Sequence, residues 1–185
     1  MKEKILDEAA QLIQTYGLKK FRVDDIADEL KISRKTIYQH FNSKDEIIRE
    51  YFKVAIDSHK SSIAQTLKSE KDSIAKIREI VYVGHRYKLP VLVLDEAKKF
   101  YPDEWEKIED LRQFETDAIK KLLEQGLHEG IVKPDIDFAV LSKMLEEISN
   151  MFIDYDFLVE NRMKAREAIT KALHIIFNGV LQKNK

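Results

Sequence analysis

From Lys31 to Lys44 the chain carries four cations, Lys31, Arg34, Lys35 and Lys44, and no carboxylate. Ser33, Thr36, Tyr38, Gln39 and His40 lie in the same stretch and add hydrogen-bonding groups. Cations and hydroxyls at this density suit contact with phosphate oxygens, and a helix N-terminus placed there adds its own partial positive charge. Lys19, Lys20 and Arg22 form a second basic cluster just upstream, while Asp24, Asp25, Asp28 and Glu29 lie between the two and must face partly elsewhere. Lysine plus arginine number 32 against 33 aspartates and glutamates, so the basic run is local rather than a reflection of overall charge.

Other chemistries find little support. There is no cysteine, which excludes disulfides, thiolate metal sites and cysteine nucleophiles. The five histidines, His40, His59, His85, His128 and His174, show no i, i+4 pair and no HExxH spacing. Neither a glycine-rich phosphate loop nor a nucleophile elbow occurs. No catalytic residue, metal or cofactor is therefore expected. The start MKEKILDEAAQLIQ is charged and amphipathic, and no stretch approaches the roughly 20 apolar residues of a membrane span, so a cytoplasmic protein is expected.

The elements that must position the basic run are helical. Only three prolines and five glycines punctuate 185 residues, and alternating β-branched runs are nearly absent, which gives an all-α reading of about nine helices. The first helix spans Lys2 to Tyr16 on a stripe of Ile5, Ala9, Leu12, Ile13 and Tyr16, with Gly17 as its stop. Two short helices follow, Val23 to Leu30 and Arg34 to Gln39. Val23, Ile26, Ala27 and Leu30 make one apolar face, Ile32 fills the turn, and Ile37 with Phe41 makes the other. Ala27 is small where the two helices approach, and Ser33 is placed to cap the second. That second helix then presents Arg34, Lys35, Thr36, Tyr38, Gln39 and His40 outward. A fourth helix starts at Ser43, with Glu46 completing a capping-box pattern, and links residues 1–46 to a larger helical body over 47–185. Five more helices are read near 71–87, 90–100, 103–129, 136–156 and 162–182, with Pro90 and Pro102 at helix starts and Gly130 closing the long one.

The stripe ahead of Gly17, Ile26-Ala27, Ser33-x-x-Thr36-Ile37-Tyr38-x-His40-Phe41 and Ser43-Lys44 together resemble the TetR family of bacterial regulators. The resemblance runs from Ile5 to Tyr51, about a quarter of the chain; the remainder is similar only in helix count and layout. It implies a three-helix helix-turn-helix DNA-binding domain followed by a larger ligand-binding and dimerisation domain. It also implies that Arg34, Lys35 and Gln39 face base edges in the major groove, where Arg or Lys can donate to guanine and Gln can pair with adenine. Thr36, Tyr38, His40 and Lys44 fall on positions that hold the phosphate backbone. Two residues depart from the family's pattern. Lys31 stands where glycine is usual in the turn, and Arg22 replaces a small capping hydroxyl while offering a phosphate contact of its own. The plainer alternative is that Arg34, Lys35 and His40 are solvated surface groups and that Tyr38 and Phe41 are core aromatics; for Phe41 the core reading is preferred.

In the body, Phe138, Leu141, Leu145, Ile148, Phe152 and Tyr155 recur at spacings of three and four, with Val140, Met144 and Met151 widening the stripe. The last helix repeats this with Ala165, Ala168, Ile169, Ala172, Leu173, Ile176, Phe177 and Val180. The resemblance implies that the two helices meet their counterparts in a homodimer, through Leu141, Leu145, Ile148, Ile169, Ala172, Ile176 and Val180. The alternative is that both stripes serve the internal core. By the same analogy a small-molecule effector would sit among Tyr82, Tyr87, Phe100, Tyr101, Trp105, Phe114, Met144, Met151 and Phe152, each of which also suits a core position. The expected function is a ligand-responsive repressor that binds a palindromic operator in double-stranded DNA; the competing one is a helical small-molecule or protein-binding module without DNA binding.

Overall fold

The computed structural model describes residues 1–82, 89–151, 155–163 and 165–180. Of the expected pocket residues, Tyr87 and Phe152 lie outside the described residues, as do parts of the helices expected over 71–87, 136–156 and 162–182. The described residues form ten α-helices: α1 Lys2–Lys20, α2 Val23–Leu30, α3 Arg34–Tyr38, α4 Lys44–Lys68, α5 Ser73–Tyr82, α6 Val91–Phe100, α7 Pro102–His128, α8 Phe138–Met151, α9 Tyr155–Glu160 and α10 Ala165–Val180. The all-α expectation holds, and α9 takes in the last two residues of the helix expected over 136–156 and most of the connection expected after it. None of the described helices is long and apolar enough to cross a membrane.

The chain divides into two compact units, residues 1–61 with 84–111 and residues 62–83 with 112–185. The core of the first gathers Ile5, Ala9 and Ile13 of α1, Ile26 and Ala27 of α2, Ile37, Phe41, and Ile47, Ile48, Tyr51 and Phe52 of α4. Val93 and Ala97 of α6 and Ile108 and Leu111 of α7 complete it. Each fully buried large apolar side chain here contributes about 1.5–3 kcal/mol of transfer free energy. The second unit has its own core, with Ile74, Ile77 and Ile80 of α5, Ile119, Leu122 and Leu123 of α7, Leu141, Leu145 and Ile148 of α8, and Leu173 and Phe177 of α10.

Gly17 interrupts α1 where a stop was expected. The helix continues to Lys20 across a kink, with Gly17 at φ 85° and ψ 172°. Glycine is the residue that reaches this conformation without steric cost. The amides of Leu18 and Lys19, freed from the helical ladder at the break, both donate to Glu96 Oε2 of α6, at 2.5 and 3.3 Å. α6 is thus tied to the end of α1 by a carboxylate on two backbone N–H groups.

The turn between α2 and α3 closes as a Schellman motif. Ile32 N donates to Ala27 O at 3.0 Å and Lys31 N to Asp28 O at 3.2 Å, while Lys31 takes the left-handed conformation at φ 53°, ψ 43°. The side chain expected to be awkward in this turn is therefore held at positive φ. A non-glycine residue there costs about 1–2 kcal/mol, part of which a glycine returns by loosening the unfolded chain. Lys31→Gly is accordingly expected to stabilise the protein by about 0.5–1 kcal/mol, read as a rise of a few degrees in the unfolding midpoint. An unchanged or lower midpoint would mean that the turn stores no strain.

Capping follows the sequence with one correction. Ser33 Oγ accepts from Thr36 N at 3.1 Å, and Ser43 Oγ from Glu46 N at 3.1 Å. Glu46, however, reaches the backbone N–H of Asn42 at 2.6 Å rather than that of Ser43, and also takes the Asn42 side-chain amide at 2.8 Å. Asn42 offers two donors where Ser43 would offer one. Pro90 precedes α6 as its N-cap and Pro102 opens α7. Past the end of α7, Gly130 adopts φ 71° in a second Schellman closure, Ile131 N donating to Gly126 O at 2.9 Å.

Candidate nucleic-acid interface

The geometry of α3 follows from which of its residues are buried. Ile37 and, just beyond the helix, Phe41 are enclosed in the core, so Phe41 is a core aromatic as preferred. Their burial fixes the rotation of α3 and turns Arg34, Lys35 and Gln39 to solvent. Tyr38 is 40% exposed, which removes it from the core. Thr36 and His40 are half-buried, and Thr36 Oγ1 lies 2.9 Å from Ser33 Oγ, so its hydroxyl is part of the helix cap.

Several of the cations already have partners. Arg34 Nε lies 3.2 Å from Asp24 Oδ1 on α2, and its guanidinium carbon is 5.9 Å from the centre of the Tyr38 ring. Hydrogen bonding to Tyr38, and then the charge of Asp24, push the Arg34 guanidinium further above its ordinary range, so it remains a cation. Lys44 Nζ donates to Lys19 O at 3.0 Å and sits 4.3 Å from the centre of the Phe21 ring. Burial pulls the Lys44 ammonium below its ordinary pKa, against the opposing pull of Asp45 and Glu96. This lysine closes an orphan carbonyl at the C-terminal end of α1, a role the sequence alone did not reveal. Arg22, exposed, precedes α2; its backbone N–H donates to Asp25 Oδ2 at 2.9 Å, and its side chain has no acceptor to return the bond. The acidic residues of α2 are thus partly accounted for: Asp25 caps its own helix and Asp24 faces Arg34.

The described residues among those expected at a pocket divide between the two units. Phe100 and Tyr101 border a polar cavity of about 330 Å³ in the first unit, together with Lys19, Asp45, Arg49 and Glu104. Tyr101 donates to Asp45 Oδ1 at 2.8 Å, and burial, with that hydrogen bond, pushes its hydroxyl pKa up. Lys19 Nζ lies 4.0 Å from the centre of the Phe100 ring. Trp105 packs on the margin of the first core. Phe114 is exposed on α7, Met144 is exposed on α8, and Tyr82 and Met151 end α5 and α8.

The residues expected at a dimer interface separate by depth. Leu141, Leu145 and Ile148 are buried in the core of the second unit, and Ile169, Ala172 and Ile176 pack partly buried against it. Val180 ends α10. The outward apolar residues are their neighbours around each helix, Val140 at 57%, Met144 at 48% and Ile175 at 72% exposure. These line an open apolar groove of about 590 Å³ between α8 and α10, with Ile148, Ala172 and Ile176 at its floor. Ile175 was missed because it precedes Ile176 outside the spacing of three and four.

Residues 5–51 match the family described as bacterial regulatory proteins, tetR family. The HTH-type transcriptional repressor KstR2 of Mycolicibacterium smegmatis is 22% identical over 187 residues, covering 98% of this chain and 91% of that protein. The biofilm operon icaADBC HTH-type negative transcriptional regulator IcaR of Staphylococcus aureus is 26% identical over 132 residues, covering 68% of this chain and 71% of that one. Among solved structures, the TetR family transcriptional regulator PfmR from Thermus thermophilus superposes with a TM-score of 0.71 at 25% identity, covering 94% of this chain and 97% of that one. Residues 5–51, which carry the helix-turn-helix of α2 and α3, thus belong to the tetR family of bacterial regulatory proteins, and the chain as a whole is similar to named transcriptional repressors along most of its length.

Proposed function

We propose that the protein is a repressor that binds a palindromic operator as a homodimer and is released by a small-molecule effector. The observation that carries this reading is the outward face of α3, where Arg34, Lys35 and Gln39 stand exposed over a buried Ile37 and Phe41 on a segment free of carboxylates. In the major groove these three would meet base edges, while Arg22, Thr36, Tyr38, His40 and Lys44 would hold phosphates. In functional terms residues 1–46 read DNA, and residues 47–185 sense and dimerise.

The exposed apolar groove of α8 and α10 supports a second copy of the chain as partner, since a patch of this kind is costly to leave in water. A two-fold dimer requires two half-sites related by the same symmetry. Effector binding in the helical body would change the tilt or spacing of the two reading modules, with α4 as the lever. The coupling expected for such a switch is on the order of 1–3 kcal/mol. The protein acts in the cytoplasm, where the DNA is.

Selection of bound sequences from a random duplex pool tests this. The wild type should enrich a palindrome. A Lys35→Ala, Gln39→Ala variant should lose that enrichment while melting like the parent, each lost base contact costing about 1–3 kcal/mol of discrimination. A Tyr38→Ala, Lys44→Ala variant should bind all duplexes more weakly. Recovery of no sequence at low salt would sink the regulator reading and favour a helical binding module instead.

A further inference from the structure

Arg34 opens α3 and is one of its three outward candidates for base reading, yet its Nε faces Asp24 Oδ1 on α2 at 3.2 Å, with the Tyr38 ring beside it. Both side chains are more than half exposed, at 58% and 53%, and an exposed pair of this kind adds little to stability. A carboxylate on the DNA-facing side is also unfavourable beside phosphates. Its presence there calls for another role.

The geometry of the pair supplies one. Arginine reads guanine with two parallel N–H bonds to O6 and N7. The rigid fork has five donors, so a carboxylate at its Nε edge and a hydrogen bond to Tyr38 still leave donors for a base. The carboxylate also biases Arg34, before docking, toward one of the rotamers that would otherwise have to be selected on binding. An unheld arginine at the same position could swing to the nearest phosphate, where it would add affinity for any sequence.

We propose that Asp24 is a specificity-determining residue, which buttresses Arg34 in a guanine-reading pose and withholds it from the phosphate backbone. This rests on the reading of α3 as the DNA-facing helix. Asp24 touches Arg34 rather than a base, so its part is that of a positioning residue.

The test uses the full-length chain, its selected operator, operator variants with each guanine replaced in turn, and an unrelated duplex, titrated over a range of salt. Asp24→Ala should bind the unrelated duplex several-fold tighter, with a salt slope steeper by about one phosphate contact. Discrimination at one guanine of each half-site should fall about tenfold while the other positions keep theirs. Arg34→Ala should lose the same guanine, and adding Asp24→Ala to it should cause no further loss of discrimination. Asp24→Asn, which keeps the shape and loses the charge, should fall between parent and Asp24→Ala. A wild type that discriminates its operator while Asp24→Ala keeps every base preference overturns the buttress alone. So does a uniform loss of affinity across all duplexes. A wild type with no sequence preference overturns the DNA-reading assignment itself, and the buttress with it.

Discussion

Gly17→Ala is expected to lower stability by about 2–4 kcal/mol, seen as a drop in the denaturation midpoint of the purified protein. Two costs combine at this position. The backbone sits at φ 85°, ψ 172°, a region that residues with a Cβ rarely enter. A Cβ there would also lie 2.7 Å from Glu96 Oε2 and 3.1 Å from Leu92 Cδ2. The Glu96 carboxylate can swing away, but only by releasing the amides of Leu18 and Lys19, which have left the helical ladder and need an acceptor. Relief of the clash by Glu96→Ala in the Gly17→Ala background should therefore recover only part of the loss, because the backbone strain and the orphaned amides persist. A Gly17→Ala protein that melts within about half a kcal/mol of the parent would show that the kink is not required.

Glu115→Gln should stabilise the protein above neutral pH and leave it unchanged in acid. Burial on α7 pushes the Glu115 carboxyl up to about 7 from an ordinary value of 4.5, with Arg112 pulling the other way. The folded state therefore holds a proton that the unfolded chain has already released between those two values. Stability contributed by the neutral form is fully present below about pH 4.5, falls as pH rises toward 7, and stays lost above it. The shift corresponds to at most about 3 kcal/mol, and the partial exposure of the residue brings the expected gain in the glutamine variant at pH 8 to about 1–3 kcal/mol. Urea unfolding of both proteins at pH 4 and pH 8 measures it. A difference between them that does not change with pH would refute the assignment.

Legibility in the sequence tracked the range of the interactions. The two short helices, the caps of Ser33 and Ser43, and the outward set on α3 depend on neighbours within a few residues, and each could be read from spacing. The turn that resumes beyond the break at Gly17 could not, because a glycine after a helical stripe announces only the stop. What holds the chain beyond it is a carboxylate 77 residues away. The role of Lys44 was hidden for the same reason, its acceptor being the carbonyl of Lys19.

The body shows a different limit. Apolar spacing on α8 identified a buried face correctly but could not say whether the monomer or a partner buries it. Leu141, Leu145 and Ile148 went to the monomer's own core, and the open groove fell to Val140, Met144 and Ile175. Large aromatics carry the same ambiguity, since cavity lining and core margin ask for the same size and apolarity. Trp105 and Tyr101 both ended on the margin of the first core.

The composition of that first core bears on how the protein is made. Its early helices emerge from the ribosome well before Val93, Ala97, Ile108 and Leu111 exist to cover them, and before Glu96 can take the amides of Leu18 and Lys19. Native contacts across so long a stretch of chain form slowly, because loop closure must precede any gain from burial. A nascent chain stalled short of residue 111 therefore exposes apolar surface and an unsatisfied helix break to chaperones and proteases. For the same reason a fragment ending at residue 61 would be a poor surrogate for the helix-turn-helix unit, since it lacks the late-arriving part of its own packing.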